Sequence, residues 1–181
     1  MEIRTPRLLL RPVTCNDLAT TYAYAGDLEN TRLMMFLPYA DEAETAAYLL
    51  DAEQQWGMKA PDRYEFAICL ADGGHIGGLT LYMQDDRTEA ELGWVLHKDY
   101  WRRGYVTEAA AAMMDFARSI GVKRLFACCD SENVASYKTM EKLGMKPCGQ
   151  GTRTNRSMGD AERIELIYDI RLADEDDMLH K

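Results

Sequence analysis

Residues 91–120 constrain the fold more than any other stretch of the chain. An apolar strand ends in a short turn, and a basic loop with one glycine, Tyr100-Trp-Arg-Arg-Gly-Tyr-Val-Thr107, opens a long helix. The apolar positions of that helix, Val106, Ala109, Met113, Phe116 and Ile120, follow a 3.6-residue period. Gly121 stands where a helix commonly ends in a left-handed residue. Residues 124–129 then read as a strand. A strand, a crossover helix and a second strand in one sheet run parallel with a right-handed connection.

The rest of the chain supplies an antiparallel frame. Residues 7–13 read as a strand with Leu8 and Leu10 on one face, and Thr14-Cys-Asn-Asp17 resembles a capping box for a helix to about Ala25. Asp41-Glu-Ala-Glu44 caps a second helix that runs to Trp56. Residues 64–70 and 75–83 alternate as strands about the Asp72-Gly-Gly74 turn, and residues 89–96 form a third strand. Residues 133–143 read as a helix closed by Gly144, and residues 146–151 and 163–172 as two final strands. A meander followed by two strand–helix units predicts an α/β (α+β) mixed sheet with helices on its faces.

The chain has 181 residues, long enough for one domain with a core of its own. No apolar run approaches the roughly 20 residues that span a bilayer, and the opening residues lack a secretory h-region. A net charge of −9 argues against general nucleic-acid binding and against docking on anionic lipid. It suits a cationic substrate, and it equally suits an ordinary acidic protein. Cys15, Cys69, Cys128, Cys129 and Cys148 form no CxxC pair, so reduced thiols in a cytoplasmic protein are expected. His75, His97 and His180 show no ligand spacing with them, so no metal is expected. Residues 1–172 read as the domain and residues 173–181 as an acidic tail.

Free amides at a helix N-terminus, the helix dipole, Arg102 and Arg103 together suit an anion, and Gly104 lets backbone approach it. The loop is neither Gly-x-Gly-x-x-Gly nor a Walker loop. Spacing alone also allows a plain glycine turn with two surface arginines.

The motifs together resemble the GNAT superfamily of acetyl-CoA-dependent N-acetyltransferases, and most closely its ribosomal-protein N-terminal (alanine and serine) branch. Thr5-Pro-Arg-Leu-Leu-Leu-Arg-Pro12 is similar to the branch's opening strand. Glu91-Leu-Gly-Trp-Val-Leu and the loop are similar to its central strand and pyrophosphate loop. Asn133-Val-Ala-Ser136 with Glu141-Lys-Leu-Gly-Met145 is similar to its second cofactor-side helix. Against the family loop [Gln/Arg]-x-x-Gly-x-[Gly/Ala], Trp101 and Val106 depart from the pattern.

The resemblance implies a single-domain, largely antiparallel sheet of about seven strands, splayed between the fourth and fifth. It implies acetyl-CoA as cosubstrate, held by the amides of Arg102, Arg103, Gly104, Tyr105, Val106 and Thr107. Trp94, Val95 and Leu96 would offer strand-edge backbone to the pantetheine arm, and Asn133 would meet the arm from the helix side. The acceptor implied is a primary amine, on a protein N-terminus or a small molecule. Dimers are common in the family, although no residue here demonstrates one. Glu91 is the expected base, or else a carboxylate paired with a nearby cation. Ser136 is the expected acid, or else a helix serine bonding backbone. The family's usual tyrosine slot holds Met140, which cannot donate a proton, and Tyr137 is the nearest substitute. That departure keeps a non-catalytic acyl-CoA-binding module as the second reading. Glu108 is expected to serve the helix dipole. Met34, Met35, Phe36 and Trp56 are expected either to wall the acceptor site or to pack the core.

Overall fold

The computed structural model describes residues 1–172. The expected tail, 173–181, lies outside the described residues. The chain runs β1 (Ile3–Arg4), β2 (Leu8–Pro12), α1 (Leu18–Ala25), α2 (Leu28–Thr31), α3 (Glu42–Gln55), β3 (Arg63–Leu70), β4 (His75–Met83), β5 (Glu89–Leu96), α4 (Tyr105–Ser119), β6 (Arg124–Asp130), α5 (Val134–Lys142), β7 (Lys146–Arg153) and β8 (Arg163–Arg171). One sheet has the order β1-β2-β3-β4-β5-β6-β8-β7.

The sheet has eight strands rather than about seven. The additional strand, β1, pairs two residues with β2, too few to show an alternation. All neighbours are antiparallel except β5 and β6. That parallel pair is joined only at Glu89–Arg124, Ala90–Leu125 and Glu91–Phe126. Beyond Glu91 the two strands separate, which is the splay expected between the fourth and fifth strands, now β5 and β6.

Alternation divides the strands between two packed faces. On one face Leu8, Leu10, Phe66, Ile68, Leu79, Leu81 and Leu92 bury against Met113, Phe116 and Ala109 of α4. On the other, Ala67 and Cys69 pack against Leu49 and Ala52 of α3. Asp41 caps α3 by accepting from the Glu44 N–H at 2.9 Å, and Glu44 returns to the Ala40 N–H at 2.7 Å. Asn133 caps α5 by accepting from the Ser136 N–H at 3.2 Å. These caps fix the helix ends that border the gap between β5 and β6.

Candidate active site

Strand register arranges one face of β3, β4 and β5 as a grid. Ala67, Gly78 and Val95 form one row, Glu65, Thr80 and Gly93 the next, and Arg63, Tyr82 and Glu91 the third. Cross-strand partners point to the same side, and here it is the side covered by α1 and α3. This grid, the gap and the head of α4 enclose one cleft of about 1540 Å³. A single-ligand site is usually about 300–1,000 Å³, so the cleft has room for two reactants.

At one end lies the basic loop. Arg102 and Gly104 have φ of 61° and 78°, two left-handed residues that turn successive amides the same way. The N–H groups of residues 102–107 meet no acceptor among the described residues, and the first bond of the helix runs from the Glu108 N–H to the Gly104 carbonyl at 3.1 Å. Those amides form a cradle suited to a diphosphate. The loop is braced from behind by Arg7, which sequence reasoning missed. Arg7 donates to the Arg103 carbonyl at 3.0 Å and to Glu108 at 2.6 Å, and lies 4.7 Å over the Tyr105 ring. Glu108 also accepts from the Thr5 hydroxyl at 2.6 Å and the Arg7 N–H at 2.9 Å. Burial raises the Glu108 carboxyl, but these donors outweigh it and hold the group below the ordinary Glu value. Glu108 is therefore a tie between the loop helix and the chain before β2.

The free edge of β5 faces the gap in alternation. The His97 N–H donates to Ile76 of β4 at 2.8 Å, so the backbone of Val95 also turns to β4 and that of Trp94 and Leu96 turns to the gap. The Leu96 carbonyl already accepts from Asn30 at 3.1 Å and from the Trp101 indole at 2.8 Å. Trp94 thus presents the unpaired edge, while Val95 reaches the cleft through its side chain.

Across the gap, Ser136 in the first turn of α5 lines the cleft and is 8% exposed. Its N–H is capped by Asn133, which leaves the Asn133 amide nitrogen for other partners, and its hydroxyl lies against the Cys129 thiol. Met140 is fully buried in the core, and Tyr137 packs against that core and stays outside the cleft lining. Cys128 and Cys129 line the same wall, and burial pushes their thiols up to about 12 and about 11.

Glu91 stands at the last paired position before the gap opens. Burial raises its carboxyl above the ordinary Glu value, the Glu165 charge raises it further, and Arg153 opposes them. No cation lies within 4 Å of it among the described residues. Arg153 is held instead by Glu165 at 3.3 Å and by Asn155 at 3.0 Å. Asn155 in turn donates to Asp130 at 2.6 Å, which also holds Arg163. This buried chain fixes Glu165 opposite Glu91, and sequence reasoning found neither Glu165 nor Arg153.

Of the expected site residues, Glu91, Trp94, Val95, Leu96, Arg102, Gly104, Tyr105, Val106, Thr107, Asn133 and Ser136 line this one cleft. Arg103 does not; its guanidinium lies 5.6 Å over the Tyr100 ring, outside the cleft. Met34, Met35 and Phe36 line the far end. Trp56 instead packs edge-on against Phe66, 4.9 Å between centroids, on the α4 face.

Residues 7–146 match the family model for the acetyltransferase (GNAT) domain. The chain belongs to the GNAT family. An uncharacterized N-acetyltransferase of Bacillus subtilis (strain 168), YnaD, is 30% identical over 149 residues, covering 81% of this chain and 83% of that relative. A GNAT-family acetyltransferase from Bacillus anthracis superposes with a TM-score of 0.80 at 25% identity, over 94% of this chain and 98% of that one. The microcin C7 self-immunity acetyltransferase MccE, solved with acetyl-CoA and AMP, has the same fold at 13% identity, with a TM-score of 0.81 over 93% and 94% of the two chains. This GNAT chain contains no helix long and apolar enough to cross a membrane among the described residues.

Proposed function

We propose that the protein transfers the acetyl group of acetyl-CoA directly to a primary amine while both are bound. One observation carries the reading: the loop with the free amides of residues 102–107, whose residues 102 and 104–107 line the cleft, the unpaired Trp94 edge and Glu91 border one cleft where β5 leaves β6. The loop would hold the diphosphate, and the Trp94 backbone and the Asn133 amide would hold the arm that leads into the gap. The ligand supplies a thioester carbonyl.

The chain's own residues supply the rest. An alkyl amine has a pKa of about 10.4, so roughly one molecule in a thousand is free base at neutral pH. Glu91 accepts that proton as the amine nitrogen bonds to the carbonyl carbon. The Trp94 N–H, preset in the gap, meets the charge that develops on the carbonyl oxygen. As the carbon–sulfur bond breaks, the Ser136 hydroxyl gives its proton to the departing sulfur and regains one, relayed by water, from the nitrogen, which sheds its second proton as the amide forms. The products are an N-acetyl amine and a free thiol. Direct transfer is favoured over a cysteine relay because both cleft thiols are protonated at neutral pH.

The second reading, a non-catalytic acyl-CoA-binding module, draws on the burial of Met140 in the usual acid position. An amine panel read by mass spectrometry separates the two. Acetylation of any amine, lost in a Glu91→Gln, Ser136→Ala double variant that still binds acetyl-CoA, supports the enzyme. Binding without turnover favours the module. Wild-type turnover in the double variant overturns the assignment of both residues.

A further inference from the structure

The acceptor half of the cleft has one feature that the proposed acetyl transfer does not use. Glu65 sits in the middle row of the β3–β4–β5 grid, 4% exposed, and lines the cleft. Its carboxylate accepts from the Thr80 hydroxyl at 2.6 Å. No cation lies within 4 Å of it among the described residues, because Arg63, on the same strand, turns to Asp51. A buried carboxylate without a close counter-charge is costly, and burial pushes this one above the ordinary Glu range although the Thr80 and Tyr48 hydroxyls and the more distant Arg63 charge oppose it.

The surroundings are those of a cation site. Tyr24, Tyr39 and Tyr82 line the cleft around Glu65 and offer aromatic faces and hydroxyl oxygens, while the Tyr48 ring already carries the Arg63 guanidinium 5.5 Å from its centroid. Gly78 keeps the space open: a Cβ there would come within 3.3 Å of the Glu65 Oε1 and 3.4 Å of the Tyr24 hydroxyl. Two more buried oxygens on the cleft wall, Thr21 Oγ1 and Asn30 Oδ1, have no hydrogen-bond partner among the described residues, and neither does the Arg63 Nε donor on the same wall. The Asn30 orientation is set, because its nitrogen donates to Leu96. An ammonium offers three donors and no acceptor, which matches such a set of oxygens.

The cleft also limits what can enter. The loop between α2 and α3 and the first turn of α3 are clasped to the turn before β8. The Arg156 N–H donates to the Met35 carbonyl at 3.1 Å, the Ser157 hydroxyl to the Arg32 carbonyl at 2.9 Å, and Arg156 to Glu44 at 3.0 Å. Met34, Met35 and Leu37 line the space beneath the clasp. A short methylene chain fits such a wall.

We infer that Glu65 is a specificity-determining residue: it binds a second ammonium of the acceptor, whose reacting amine lies at Glu91, so the acceptor class is short aliphatic diamines. This rests on the acetyl transfer proposed above. Glu65 and Glu91 lie two strands and two residues apart in the grid, about 12 Å between Cα atoms from sheet spacings. With each nitrogen about 3 Å inside its carboxylate, about 6 Å separates the nitrogens, roughly the span of 1,4-diaminobutane.

The test is steady-state acetylation of 1,4-diaminobutane against pentylamine, which keeps the length and lacks the second charge. The wild type is expected to favour the diamine at least about 100-fold in kcat/KM. Glu65→Gln is expected to abolish the preference by raising KM for the diamine with little change in kcat. Its acetyl-CoA affinity and melting temperature serve as the folding control. Equal kcat/KM for the two amines in the wild type overturns the inference without any variant and leaves the acetyltransferase reading standing. A preference that survives in folded Glu65→Gln overturns the assignment to Glu65. Failure to acetylate any amine overturns the acetyltransferase reading and this inference with it.

Discussion

Replacing Glu91 by Gln keeps the shape of the side chain and removes the proton acceptor. Glu91 has no ion pair to lose among the described residues, and it does not touch the loop that begins at Arg102, so the fold and acetyl-CoA affinity should hold. A positioned general base contributes about 10²–10⁴ in rate, which is about 2.7–5.4 kcal/mol at about 1.36 kcal/mol per decade. The variant should therefore lose about 100-fold or more in kcat with acetyl-CoA affinity unchanged.

The pH profile adds a second readout. Burial and the Glu165 charge raise the Glu91 carboxyl. The basic form is therefore lost as pH falls through a value above about 4.3, the ordinary Glu value. Wild-type kcat/KM should fall on the acid side above that value, and Glu165→Gln should move the fall to lower pH by removing a like charge. Glu91→Gln should lose this limb and follow the free amine, rising about tenfold per pH unit toward about pH 10. Thiol release assayed from pH 5 to 9 checks both. A variant within about threefold of wild type, with the same acid limb, would refute the base assignment.

Three further outcomes follow from other parts of the site. Ser136→Ala leaves the backbone cap to Asn133 intact, so melting should barely change while kcat falls by about 10²-fold; unchanged kcat would leave Ser136 without a chemical role. Arg7→Met removes the donor to the Arg103 carbonyl. Calorimetry should show acetyl-CoA binding weakened roughly fivefold, about 1 kcal/mol for one such bond, with little loss of stability because the Arg7–Glu108 pair is partly solvated on the arginine side. Burial opposes the charge of Asp130, but Arg163, the Glu132 N–H and Asn155 outweigh it and hold the carboxyl below its ordinary value. Its folded value thus lies below the unfolded value of about 3.9, so its contribution is full above that and lost as pH falls through the folded value. The difference in melting temperature between wild type and Asp130→Asn should be largest near pH 6 and shrink below about pH 4.

The chemistry-bearing stretch was legible because each part follows a local rule. The period of α4, the glycine at its head and the helix from Asn133 closed by Gly144 are set within a few residues of chain, and the observed elements agree with them. The parallel pair was legible too, since it follows from the order of elements, whereas its splay was expected only from the family resemblance. What was missed depends on contacts distant in sequence. Arg7 meets Arg103 and Glu108 across 96 and 101 residues. Glu65 reads in sequence as one member of an alternating strand, and only register with Thr80 and Gly93 shows that its side faces a cleft. Arg102 and Arg103 are equivalent as text, yet Arg102 lines the cleft while the Arg103 guanidinium stacks on Tyr100. Trp56 has the composition of a pocket wall, but the turn after α3 carries it to the other face, where its indole donates to the Glu65 carbonyl at 2.9 Å.

The central claim is that the cradle at residues 102–107 and the edge of β5 bind acetyl-CoA. Calorimetric titration of CoA-free protein with acetyl-CoA tests it most directly, with NADH and ATP as controls and Gly104→Val as the matched variant. Gly104 has φ of 78°, a conformation that costs a β-branched residue about 1–2 kcal/mol, so Val there strains the loop that forms the cradle. The account predicts selective binding in the micromolar range, lost or strongly weakened in Gly104→Val protein that remains folded. No binding by folded wild type, or binding equally shared with NADH and ATP, would contradict it.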